Sequence, residues 1–177
     1  MFRINNTASS INFKGRDGYV IYSGNTVTKV FYPGNQKEFK NEKDSLEFLS
    51  KAGYKNSPQF IEAGIKDGKC FIKMTRVEGK TLFDFLLKAS AQQIKLVQEK
   101  IQEATIELAR LNIMHMDLNR GNIIVSTDVS GNPKAITIID YSEIKKVVTK
   151  DICQLADDMM FRKNLILILE HFAKQKI

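Results

Sequence analysis

The 177 residues carry a formal net charge of +7 and are 43% hydrophobic and 27% charged, a balance that suits about one domain, or two small lobes, and is too apolar for a disordered tail. The longest aliphatic run, Leu165 to Leu169, falls far short of the roughly 20 residues that span a bilayer, and no basic-then-apolar leader opens the sequence, so neither a membrane span nor classical secretion is expected. Cys70 and Cys153 stand alone, which argues against a structural zinc site and for a reducing compartment.

In chain order, residues 1–10 are polar and small and are predicted to form a flexible arm. From Ile11 to Tyr32 the pattern is strand-like: two β-branched or aromatic runs, Tyr19–Ser23 and Val27–Tyr32, meet at Gly24-Asn25, a hairpin turn. After Pro33-Gly34-Asn35, the stretch QKEFKNEKDSLEFLSKAG reads as a helix with Phe39, Leu46 and Leu49 on one side and Gly53 as its stop. A second hairpin, Gln59–Gly64 with Lys69–Arg76, turns around Lys66-Asp67-Gly68.

The second half is mainly helical. Ser90-Ala91-Gln92-Gln93 is a capping box, and Ile94, Val97, Ile101, Ala104, Leu108 and Leu111 recur at spacings of three and four, which makes one buried stripe on a long helix. Two short apolar strands follow, Ile123–Ser126 and Ala135–Ile139, and helical spacing returns after Thr149. The expected class is therefore α+β, a small sheet lobe followed by a small helical lobe.

Charge is unevenly distributed. Residues 1–80 hold 14 Lys and Arg against 8 Asp and Glu, and the remainder is nearly balanced. With no zinc finger, no aromatic RNA-binding strand motif and no continuous basic stripe, the excess suits phosphates or an acidic protein rather than nucleic acid.

The chemistry is concentrated in His115-Met116-Asp117-Leu118-Asn119-Arg120-Gly121-Asn122, which runs straight into the strand beginning at Ile123. Asp140 ends the next apolar strand. If the two strands pair, Asn122 and Asp140 converge as hard oxygen ligands suited to magnesium shared with substrate phosphates, with Asp117 just before them to orient a nucleophile.

These motifs resemble the protein kinase family. HMDLNRGNIIV is similar to the catalytic loop H-R-D-L-x-x-x-N, and IIDYS to the strand that carries the D-F-G aspartate. FKGRDGYV resembles the end of the glycine-rich loop at Gly15, Gly18 and Val20, with Phe13 where the first glycine belongs; Lys29 in TVTKVF falls at the V-A-I-K lysine. Among Glu38, Glu42 and Glu47, Glu42 lies beside the apolar stripe and is the expected partner of Lys29. FIKMTRVEG resembles the hinge, with Met74 as gatekeeper and the backbone of Thr75 and Val77 facing a nucleobase.

The resemblance implies a two-lobe protein kinase-like domain over residues 11–177, with an antiparallel sheet N-lobe of about 11–78 and a truncated helical C-lobe of about 79–177. It also implies ATP and magnesium as cofactors. Met116, Asn119 and Ser142 depart from the family pattern. Asn119 leaves the transferring phosphate one cation short unless Arg120 substitutes, and Asp151 is expected to brace the catalytic loop. About ten residues separate Asp140 from that aspartate, too few for an activation segment. The short chain and the H-x-D-L-N-x-G-N loop are similar to the minimal OspG/NleH-like effector kinases; RIO and lipopolysaccharide-sugar kinases share part of the pattern. That likeness implies a Ser/Thr protein kinase delivered into a host cytoplasm by a type III-like route. Its partners would be a host protein substrate and a ubiquitin-system or other acidic activator. A sugar- or aminoglycoside-type kinase and a partner-binding pseudokinase are the alternatives.

Overall fold

β-Branched and aromatic residues build the first sheet. In the computed structural model, which describes residues 13–148 and 151–175, the strands β1 (Phe13–Lys14), β2 (Gly18–Ser23) and β3 (Thr26–Phe31) run antiparallel. The arm expected over residues 1–10, and Ile11, lie outside the described residues. Ser23 pairs with Thr26 across a two-residue turn in which Gly24 takes a φ of 56°, the positive value demanded at the first centre of a type II′ hairpin. The helix α1 (Gln36–Lys51) follows and stops at Gly53, whose φ of 72° no side chain adopts cheaply. A second hairpin, β4 (Phe60–Lys66) and β5 (Lys69–Thr75), turns at Asp67-Gly68 with positive φ at both centres. The sheet order is β1-β2-β3-β5-β4, and α1 covers β4 and β5 with Leu46 and Leu49, both fully buried.

Past Thr75 the chain makes β6 (Lys80–Thr81) and the short α2 (Leu82–Leu86), then α3 (Ala91–Arg110). Ser90 Oγ accepts from Gln93 N–H and the Gln93 side chain accepts from Ser90 N–H, so the predicted capping box forms in full. Ile94, Val97, Ile101, Ala104 and Leu108 are wholly buried. They form the spine of the lower core, against which α4 (Ile152–Arg162) and α5 (Leu165–Lys174) pack.

Four strands lie between α3 and α4: β7 (Ile113–His115), β8 (Ile123–Thr127), β9 (Pro133–Ile138) and β10 (Ile144–Lys146). β8 pairs with β9, as the apolar runs predict, and β6 adds to its other edge. The β7–β10 ribbon is not foreshadowed in the sequence. Its three-residue strands are held by tertiary pairing, Ile144 against His115 and Lys146 against Ile113. The ribbon folds the chain back shortly after Asp140. The class is α+β, as expected. Among the described residues no helix is long and apolar enough to cross a membrane.

Candidate active site

Strand alternation puts Val27, Lys29 and Phe31 on one face of β3, and Phe31 is buried beneath it. A lysine on that face needs an anionic partner. Glu42 supplies it from α1: Lys29 Nζ lies 2.6 Å from Glu42 Oε2 and also 3.0 Å from Asp140 Oδ1, so one ammonium ties the sheet, α1 and the end of β9 together. Glu47, the neighbouring candidate, pairs with Lys43 on the surface instead.

Burial governs the charges in this group. It works against the Lys29 ammonium, yet the attraction of Glu42 and Asp140 outweighs it and holds the lysine above its usual range. Glu42 is fully buried; desolvation pushes its carboxyl up to about 7, although Lys29 pulls the other way. Asp140 pays desolvation too, but Lys29 and the Ser142 hydroxyl, which donates to Oδ1 at 2.9 Å, bring it below the ordinary carboxylate range. Ser142 thus makes a bond that a glycine at this position could not make. Asp140 itself sits at φ 62°, in the left-handed region that few non-glycine residues adopt.

The loop after β7 is set by His115. Its Nδ1 accepts from Asp117 N–H at 3.3 Å, so Nε2 carries the proton and donates to the Ile139 carbonyl at 3.2 Å. Desolvation lowers its pKa, which keeps this buried imidazole neutral. Asp117 and the strand leading to Asp140 are thereby tied to one ring. Asn122 Nδ2 donates to both the backbone and the carboxylate of Asp117, at 3.0 and 3.2 Å. That leaves the side-chain Oδ1 of Asn122 and Asp140 Oδ2 without hydrogen-bond partners among the described residues. Two hard oxygens of this kind fit magnesium that keeps waters and shares phosphates; among the described residues no cluster of three or more His, Cys, Asp or Glu could hold a metal alone.

Above the cleft, Gly15 N–H donates to the Gly18 carbonyl at 2.8 Å and closes a tight turn with Arg16 and Asp17 at its tip. A Cβ on Gly18 would lie 2.1 Å from the Val30 carbonyl oxygen. Gly18 is therefore required by the close approach of β2 to β3, before any phosphate is considered. Arg16 bridges downward to Glu143 at 2.9 Å, joining the turn to the segment beyond Asp140. Met74, buried at the end of β5, belongs to the core and to the cleft wall at once. Thr75 N–H is spent on the Gln59 carbonyl and Arg76 N–H on that of Asn25, whereas Val77 makes no backbone hydrogen bond among the described residues. Its backbone is free to meet a ligand edge.

Eleven residues singled out in the sequence line one cleft of about 560 Å³: Gly15, Gly18, Val20, Lys29, Glu42, Met74, Thr75, Val77, Asp117, Asn122 and Asp140. The volume is that of a small-molecule site. Val27, Ile124 and Ile139 add apolar walls; Val27 could have been found from its alternation with Lys29. One expectation needs revision. Arg120 does not stand in for the cation missing at Asn119, because its guanidinium stacks on Phe83 at 4.5 Å. Lys163, from the turn between α4 and α5, lies 3.0 Å from Asp117 Oδ1, and nothing local in the sequence pointed to it. Asp151 Oδ1 accepts from Gln154 N–H and caps the start of α4.

No protein-family model matches the sequence, and no curated protein matches it. Among solved structures the chain is similar to WbdD in a co-crystal with a kinase inhibitor, at a TM-score of 0.60 and 17% identity over 93% of this chain. The match covers 36% of the WbdD chain, so this chain spans little more than a third of that length. At that identity the likeness shows the fold. The chain has a two-lobe, kinase-like α+β fold.

Proposed function

We propose that the chain is an ATP-dependent phosphotransferase that uses magnesium and acts on Ser/Thr hydroxyls of a partner protein. The observation that carries this reading is the junction of Lys29 with both Glu42 and Asp140, facing Asp117 and Asn122 across one cleft. When bound, magnesium-ATP supplies the phosphoryl group and ions that neutralise its charge. Lys29, fixed by Glu42, would hold the α- and β-phosphates; Asn122 and Asp140 would hold the metal. Asp117 would take the proton of the attacking hydroxyl as the new O–P bond forms and the bond to ADP breaks. Retention of Lys29, Asp117 and Asp140 favours catalysis over a partner-binding pseudokinase.

The effector reading, with delivery into a host cell, rests on the motif resemblance and the short segment after Asp140. The described residues offer a clear platform for the nucleotide and little for a peptide. A protein docked on the basic sheet lobe would therefore set specificity, and an acidic partner, the ubiquitin system among the candidates, suits that charge. Incubation with γ-labelled ATP, magnesium and an animal-cell lysate tests the reading. Label should appear on phosphoserine or phosphothreonine, and Asp117→Ala should lower transfer by about 10²–10⁴, the scale of a lost general base. Equal labelling by parent and variant would refute it.

A further inference from the structure

Asp117 is held at both oxygens. Asn122 Nδ2 donates to Oδ2 at 3.2 Å, and Lys163 Nζ pairs with Oδ1 at 3.0 Å. The usual neighbours cannot supply that charge. Asn119, at the position of the family's lysine, uses its amide on the Asp117 carbonyl and on Gly121 N–H. Arg120 stacks on Phe83, and Lys29 is engaged by Glu42 and Asp140. Lys163 arrives from the two-residue turn between α4 and α5, and that turn is anchored. Met160 and Leu165 on either side are buried, and Met159 Sδ accepts from His115 N–H, two residues before Asp117. Asn164, at φ 53°, turns the chain directly into α5.

We propose, on the phosphotransferase reading above, that Lys163, which reaches the cleft through its pair with the lining residue Asp117, is a catalytic residue. Its ammonium orients the Asp117 carboxylate and supplies, beside the transferring phosphoryl group, the positive charge that Asn119 omits. Charge-compensating donors lower the barrier when they are aimed at where charge develops in the transition state. The cation is thus delivered from the α4–α5 turn rather than from the catalytic loop.

The test compares the parent with Lys163→Met, Lys163→Arg and Asp117→Asn in the lysate-labelling assay. In parallel, calorimetry measures magnesium-ADP affinity with and without aluminium fluoride, a mimic of the phosphoryl group in flight. Lys163→Met should lower transfer about 10²-fold, the scale of one lost transition-state donor. It should leave ADP affinity within about twofold and lose at least about tenfold in affinity for ADP with aluminium fluoride. Lys163→Arg should recover part of both losses. Parent-level transfer and aluminium fluoride binding in Lys163→Met, with Asp117→Asn inactive, would overturn the role of Lys163 alone. Faster transfer in Lys163→Met would overturn it too, marking the pair as a block. Full transfer by Asp117→Asn would remove the phosphotransferase reading and the Lys163 proposal with it.

Discussion

A carboxylate buried as completely as Glu42 stays charged only at the expense of its hydration, and Lys29 offsets part of that cost. The consequence is a defined pH dependence. The folded chain holds the Glu42 proton up to about pH 7, whereas the unfolded chain releases it near the ordinary value of 4.5. Stability contributed by that proton is complete below the unfolded value and is lost as pH rises through about 7. Glu42→Gln has no such proton. Between pH 5 and 8 the parent should therefore lose stability relative to Glu42→Gln, by up to about 3 kcal/mol, as read from urea denaturation. A difference that stays flat over this range would mean the buried carboxylate is already ionised at pH 5. Asp140 runs the other way, since its depressed pKa adds stability that disappears on acidification.

At the scale of elements, the hairpin over the cleft separates two uses of glycine. Gly18 is wedged against the Val30 carbonyl, while the nearest atom to a Cβ on Gly15 is the Phe13 ring edge at 3.5 Å, an ordinary contact. Gly18→Ala should cost about 1–3 kcal/mol, because backbone atoms of β3 must move to admit the methyl. Gly15→Ala should change stability by no more than about 0.5 kcal/mol, with any effect confined to nucleotide affinity. Melting curves with paired nucleotide titrations would check both; an unaffected Gly18→Ala would show that β2 and β3 do not approach as described. The sequence made elements legible wherever local chemistry decides the structure. The Ser90–Gln93 box, the α3 stripe and both two-residue hairpin turns carry their own signals. β7 and β10 do not, since three-residue strands form only because their partners are already in place. Lys163 was illegible for the same reason: its approach to Asp117 depends on how α4 and α5 pack, which no local pattern encodes.

Across the whole molecule, a few long-range ties join the sheet to the helical layer at the cleft. Lys29 reaches Asp140, Arg16 reaches Glu143 and Asn41 Nδ2 donates to the Ser142 carbonyl, all converging on residues 140–143. Those four residues form a turn that leads directly into β10, and the pairing of β10 to β7 anchors the far end of that turn. Phosphotransfer therefore requires that this junction bind a metal-nucleotide. Calorimetric titration of the parent and of Asp140→Ala with ATP, each with and without magnesium, tests this most directly. The account predicts that magnesium strengthens ATP binding to the parent and has no such effect on Asp140→Ala, because Asn122 alone offers one neutral oxygen. Binding by the parent that is indifferent to magnesium, or an Asp140→Ala variant that keeps the magnesium effect in full, would contradict it.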